Sequence, residues 1–289
     1  MANTAIPTVT AIQTIGAVPV FCEIHPQSWL LDHARIHDLV TVRTRAIIPV
    51  HLFGNMVDME PLLEVARHHQ LPVIEDTAQA FGACYQGKQA GTIGDFGAFS
   101  FYPSKNLGAL GDAGAVFCRS AEAAQLLRQL RNYGQSDRYH ASIPQGRNTR
   151  LDEIQAAILR VKLQHVHRWN QQRNHWVGVY QDLLKQANLP LMTVKPTAQT
   201  EPAWHLMAVR LYHGAETRDQ LQQYLKQCGI GTLIHYPHIL SSQPAFAHYN
   251  QRPLPITEAH CNEVLSLPLH PYLSEAQIHE VCSAIRHFF

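Results

Sequence analysis

Three short stretches hold most of the residue types that could do chemistry. Glu75-Asp76-Thr77-Ala78-Gln79-Ala80 closes one apolar run, and Ser100-Phe101-Tyr102-Pro103-Ser104-Lys105-Asn106 closes another; Gly108, Gly111 and Gly114 follow as a glycine ladder. Lys105 comes after a strand candidate and a Pro-Ser turn, so its amine is carried from a strand end toward a crevice. Partial desolvation there lowers the pKa of an amine, and a neutral lysine is a nucleophile for a carbonyl carbon. A carbonyl cofactor such as pyridoxal 5'-phosphate (PLP) is held through a lysine of this kind. It also needs a carboxylate that keeps its ring nitrogen protonated, so that the ring draws electrons. Asp76, at the end of a neighbouring strand, is placed to supply one. The same two residues also read as a surface lysine and a helix-capping aspartate, and spacing alone balances the two readings.

Other chemistries fit less well. Gly91-x-x-Gly94-x-x-Gly97 and Gly108-x-x-Gly111-x-x-Gly114 each lead into an apolar strand. A dinucleotide fingerprint runs from strand to helix with G-x-G-x-x-G spacing, so order and spacing both argue against NAD. Most of these glycines fit tight turns and close backbone packing instead. No Walker A lysine motif occurs. Among 19 histidines, His68-His69 and His165/His167 lie on polar helical stretches without the i, i+4 spacing and third ligand of a zinc helix, so they read as solvated surface and no metal is expected. The six cysteines form no C-x-x-C pair, which argues against zinc ribbons and thioredoxin-like redox chemistry. With no signal peptide read at the start, disulfides are not expected, and the cytoplasm is the expected compartment. A net charge of +1 offers no basic field for nucleic acid or anionic membrane, and no apolar run reaches transmembrane length. Charged residues are only 16% of the chain, which leaves open that an oligomer buries extra surface.

The elements that must position these residues alternate. The spacing predicts a helix over Val9 to Ile15 stopped by Gly16, then strands over Val18 to Cys22 and Arg45 to Val50. A helix follows from an Asp58 cap to His69, and then strands over Leu71 to Ile74, Ala98 to Tyr102 and Ala113 to Cys118. Short apolar strands between helices indicate a mostly parallel sheet covered on both faces, with ligands beyond the carboxyl ends of the strands. Next come a helix over Ala121 to Tyr133, a loop over Gly134 to Asn148, and a helix capped by Thr149 with Leu151, Ile154, Ile158 and Val161 as its buried stripe. Pro190 and Pro196 break that pattern. A smaller α/β part follows: strand His205–Tyr212, helix Arg218–Cys228, strands Gly231–Tyr236 and Val264–Pro268. A last helix opens with a Ser274/Gln277 capping box and buries Ile278, Val281 and Ile285. The length of 289 residues, 46% of them hydrophobic, suits two domains or one large one, and the pattern of elements divides as 1–165 and 166–289.

The central stretch EDTAQAFGACYQGKQAGTIGDFGAFSFYPSKNLGALGDAGA closely resembles the motif of the DegT/StrS-type aminotransferases, which are fold-type-I PLP enzymes. The likeness extends over RAIIPVHLFG, RNYGQ, GRNTRLDEIQAAIL, HYPHIL and LPITEAHCNEVLSLPLHPYLSEAQI. It implies a large, mostly parallel sheet domain and a smaller C-terminal α/β domain. It also implies amino transfer from an amino acid, glutamate foremost, to a keto sugar nucleotide in two half-reactions, and a homodimer. By resemblance Lys105 is the lysine that carries the cofactor and shuttles the proton, and Asp76 is the partner of the ring nitrogen. Gln79 lies beside the ring, Ser100 binds the phosphate, and Asn148 reaches the phosphate of the neighbouring subunit. His235 and Tyr236 resemble a segment near the substrate. Relatives with histidine in place of the lysine catalyse dehydration, and Lys105 argues against that branch.

Two departures from the family pattern stand out. Met1-Ala2-Asn3-Thr4 coincides with a stretch that lies past the first strands of the family's large domain, so the expectation is a chain shortened at its N terminus, without the Ser-Gly-Thr loop that grips the phosphate. Ala5 stands where many relatives place an aromatic that stacks on the ring. Two further readings follow: a catalytically silent assembly subunit paired with a longer paralogue, and a PLP-dependent sugar dehydratase or epimerase.

Overall fold

The structure, a computed structural model, describes residues 1–249 and 252–289. Its first sheet is built around β1 (Ile74–Asp76). On one side β1 runs parallel to β2 (Phe96–Ser100), with Asp76 opposite Ala98. On its other side lies the segment 47–50, also parallel, bridged at Ile47 with Val73 and at Val50 with Asp76. β3 (Gly114–Cys118) closes the other edge antiparallel to β2, so the mostly parallel sheet turns mixed there. α1 (Ile6–Thr14), α2 (Met59–His68) and α3 (Ala121–Leu130) accompany this part, and α4 (Glu153–Gln186) leads out of it. The second sheet is antiparallel: β5 (Met207–Leu211) lies between β4 (Leu191–Thr193) and β6 (Val264–Leu267). α5 (Gly214–Gln227), α6 (Pro255–Glu263) and α7 (Glu275–Phe288) complete it. The mixed α/β architecture agrees with the fold class read from the sequence. The boundary at 165/166 falls inside α4, so both parts share that helix.

Several local readings give way to tertiary constraints. Val18 to Cys22 forms no strand; Pro19 in its middle has no N–H to offer a ladder. Arg45 to Val50 pairs only through two bridges, because Pro49 accepts from Asp76 N and cannot donate. Thr149 caps no helix: its N–H bonds to Arg131 O, and α4 starts after Asp152. Half of the stripe assigned to α4 is exposed, Ile154 at 73% and Val161 at 63%, while Leu151 and Ile158 are half-buried; Leu159 and Val166 are the buried residues instead. Asp58 occupies the N-cap position of α2, but its carboxylate accepts from the Tyr85 hydroxyl rather than from the helix. Gly231 to Tyr236 pairs only at Leu233, with Ser266, before it leaves the sheet. The loop over 134–148 contains a short strand pair, Gln135–Asp137 with His140–Ala141. The Ser274/Gln277 capping box forms, and Ile278, Val281 and Ile285 are buried.

One buried carboxylate ties the first sheet to its neighbours. Glu75 accepts from the backbone N–H of Gly91 (2.8 Å), Ile93 (2.7 Å) and Gly94 (2.7 Å). Its fourth donor is His51 Nε2 at 2.9 Å. The His51 tautomer is set by geometry: Nδ1 accepts from Val57 N, so Nε2 carries the hydrogen. Burial by itself would raise the carboxyl pKa, but the His51 hydrogen bond and the Gly94 and Gly91 N–H groups outweigh it and hold it below the ordinary range. Glu75→Ala is expected to cost about 3–5 kcal/mol in urea unfolding, because it strands a histidine and three backbone donors in the interior.

His260 lies in the apolar core with both ring nitrogens unpartnered, its ring tilted against Trp29 at 4.9 Å between centroids. Burial first, then the Arg210 charge, pushes its pKa from 6.5 down to about 3. The unfolded chain therefore takes up a proton near 6.5 that the folded chain refuses until about 3. Stability from this site is complete above the unfolded value and is lost as the pH falls. Between pH 7 and pH 5 the loss is about 2 kcal/mol. His260→Phe is expected to shrink the drop in unfolding free energy between those two pH values by that amount.

Candidate active site

β1 and β2 run parallel and end on the same side of the sheet, so Asp76 and Ser100 emerge at one edge. The chain then turns back through Phe101 to Lys105, whose N–H donates to Tyr102 O at 2.8 Å. Burial lowers the Lys105 amine pKa, and the negative charge of Asp76, near enough to act on it, opposes that shift. Asp76 is oriented from two directions. Thr8 Oγ1, on α1, donates to Oδ2 at 2.6 Å, and Ala78 N donates to Oδ1 at 3.1 Å. Amine and carboxylate thus share one crevice beyond the carboxyl ends of parallel strands, where open α/β sheets bind ligands. A cavity of about 620 Å³ lies at the other ends of these strands, between Arg67, Pro72, Asp95 and Arg119, away from Lys105.

Gln79 sits one turn beyond Asp76 with both ends of its amide engaged. Oε1 accepts from Phe53 N (2.7 Å) and Nε2 donates to the Tyr236 hydroxyl (3.1 Å). Phe53 reaches this position with φ of 62°, a conformation unfavourable for a bulky residue and held by its burial. Burial raises the Tyr236 hydroxyl pKa; the Gln79 bond works against the rise and the Asp76 charge adds to it. His235 Nδ1 pairs with Ser266 Oγ at 2.9 Å, and His205 Nδ1 with Asn106 Oδ1 at 3.1 Å. Both imidazole pKa values are lowered, first by burial and then by the charge of Lys105. Asp76, Gln79, Lys105, His235 and Tyr236 therefore come together. Ser100 stands at the strand end, its Oγ accepting from Tyr102 N at 3.3 Å. Asn148 does not join them: it lies in the exposed stretch before α4, bridged to Asn132, and its Oδ1 accepts from Arg150 Nε at 2.9 Å.

This donor set fits a cofactor of the PLP type: an amine of reduced basicity for a carbonyl, a fixed carboxylate for a ring nitrogen, and a strand-end hydroxyl for a phosphate. Among the described residues no group of three or more His, Cys, Asp or Glu is arranged to hold a metal ion. None of their helices is long and apolar enough to cross a membrane.

The model of the DegT/DnrJ/EryC1/StrS aminotransferase family matches residues 1–286. The chain belongs to this family. Among its relatives, the dTDP-3-amino-3,4,6-trideoxy-alpha-D-glucose transaminase of Streptomyces venezuelae is 43% identical over 289 residues, covering 98% of this chain and 74% of the relative. The structure of S. venezuelae DesV in complex with a ketimine intermediate superposes with a TM-score of 0.93 at 40% identity, over 99% of this chain and 76% of that one. NtdA from Bacillus subtilis, solved with bound cofactor PMP, gives 0.90 at 29% identity, over 99% and 66%. The chain spans about three quarters of the length of the first two and two thirds of NtdA, and these shares decide nothing about where the polypeptide starts.

Within this DegT-family chain, the structure adds residues that sequence reading passed over: Thr8 on Asp76, Phe53 N on Gln79, Ser266 on His235, and the Asn106–His205 pair. Asn106 carried one signal, its place next to Lys105; the others carried none, because each contacts a site residue from a distant segment. Acetic anhydride labelling of the cofactor-free chain across pH is expected to show Lys105 deprotonating below the ordinary lysine value of 10.5. A Lys105 profile centred at that value would contradict the desolvated crevice.

Proposed function

We propose that this chain is a PLP-dependent aminotransferase that moves an amino group from an amino acid, glutamate foremost, to a keto sugar nucleotide, working in the cytoplasm as a homodimer. The observation that carries this reading is the half-buried Lys105 amine sharing a crevice with the doubly oriented Asp76 carboxylate, in a chain of an aminotransferase family. The S. venezuelae relative is named for a 3-amino sugar, which favours a keto group at sugar C3. PLP, when bound, supplies an electron sink for the negative charge that develops on the carbon bonded to the transferred nitrogen.

The protein's own residues do the rest. Asp76 would hold the proton of the ring nitrogen, with Thr8 and Ala78 N–H keeping its carboxylate in place. Ser100 would bind the phosphate, and Asn148 would do so across the subunit boundary. Lys105 Nζ is the acid and base: it takes the proton from the donor's α-carbon and delivers one to the sugar carbon that receives nitrogen. Its lowered pKa favours the neutral, proton-accepting form. Gln79 and Tyr236, bonded to each other, and His235 wall the crevice on the substrate side.

Purified protein mixed with PLP is expected to develop a visible absorption band that Lys105→Ala lacks. With glutamate and dTDP-linked 3-keto and 4-keto sugars, it is expected to yield 2-oxoglutarate and a 3-amino sugar. A band that survives Lys105→Ala, or products that are only dehydrated or epimerised, would overturn this reading.

A further inference from the structure

Asn106, the residue after Lys105, is buried and makes four hydrogen bonds that fix its amide without ambiguity. Nδ2 donates to Asn170 Oδ1 (2.9 Å), Ala203 O (3.0 Å) and Trp204 O (3.4 Å). All three are acceptors, so the nitrogen must lie on that side and Oδ1 on the other. Oδ1 meets His205 Nδ1 at 3.1 Å and can only accept, so Nδ1 carries the hydrogen and Nε2 of the neutral ring bears the lone pair. Asn170, buried on α4, passes the polarity on: its Nδ2 donates to Phe81 O at 2.9 Å. Gly82 makes room for it, since a Cβ there would lie 2.6 Å from Asn170 Nδ2. The result is one oriented chain, His205 to Asn106 to Asn170 to Phe81 O. It joins the Lys105 turn to α4, to the loop after Gln79 and to the segment entering β5.

Charged and titratable groups face Lys105 from several elements. Asp76 on β1 is its counter-charge. His205, before β5, and His235, beyond α5, both feel its positive charge, and His205 also feels Arg173 on α4. A second cation in this crevice would oppose Lys105, and the hydrogen on Nδ1 holds the imidazole in a single neutral tautomer.

We propose that His205 is a positioning residue for Lys105: through its Nδ1–H bond to Asn106 it locks the lysine-bearing turn, so that the amine stays in the crevice rather than swinging out to solvent. The inference rests on the reading of Lys105 as the reacting amine, but its test needs neither PLP nor turnover. His205→Phe keeps the ring and removes the N–H, and Asn106→Leu removes all four bonds at similar volume. Each is expected to raise the pH midpoint of Lys105 acetylation, measured by competitive labelling and mass spectrometry on the full cofactor-free chain, by about one unit. That corresponds to about a tenfold higher ratio of protonated to free amine at a given pH. Leu221→Ala, in the core of α5, is expected to lower the melting temperature and leave that midpoint unmoved. Wild-type midpoints in both site variants, whatever their melting temperatures, would overturn the proposal. So would an equal rise in Leu221→Ala. Should Asn106→Leu fail to fold, His205→Phe decides alone. Loss of aminotransferase activity with any keto sugar would bear on the enzyme reading and not on this one.

Discussion

The buried Glu75 carboxylate is the constraint on which the rest of the site depends. Its four donors come from the segment after 47–50 and from the loop that feeds β2, so a single side chain holds three neighbouring strands at their ends. Side chains alternate along a strand, so pinning Glu75 to one face obliges Asp76 to face the other. That other face is where Thr8 and Lys105 are. The Asp76 carboxylate is therefore aimed by the residue before it, through bonds that never touch the crevice.

Desolvation is the second theme. Lys105, His205, His235 and Tyr236 are all shifted toward their neutral forms with burial as the first cause. Asp76 supplies negative charge in the crevice, and its two donors keep it oriented. An amine in such surroundings is a weaker base than one in water, but more of it stands unprotonated at a given pH and so can act as a nucleophile and accept a proton. The dryness comes from the way distant segments close over the strand ends. Gly54 shows how tight that closure is: a Cβ on it would sit 2.1 Å from Ala203 O, and the neighbouring Phe53 accepts a positive φ to stay in place.

The half-exposed stripe read onto α4 shows where periodicity misleads. Its residues repeat at helical spacing, and a helix does form, but period alone does not say which side a neighbour will cover. In this chain the covered side carries Leu159, Val166 and the polar Asn170 and Arg173. The buried polar residues are the informative ones. Asn170 completes the network under Lys105, and Arg173 Nη1 donates to Leu269 O at 2.9 Å. A hydrophobic pattern could not have marked either.

The order of Asp76, Gln79, Ser100 and Lys105 along alternating strands and turns was legible from the sequence, and so was the capping box of the last helix. These depend on neighbours a few residues apart, where local geometry and side-chain type suffice. Tertiary structure alone decided that Thr8 would meet Asp76 across 68 residues, Gln79 meet Tyr236 across 157, and Asn106 meet His205 across 99. It also placed Asn148 outside the cluster formed within one chain. Such contacts arise when separate segments pack against one core, and no spacing within a segment records which partner the packing will bring.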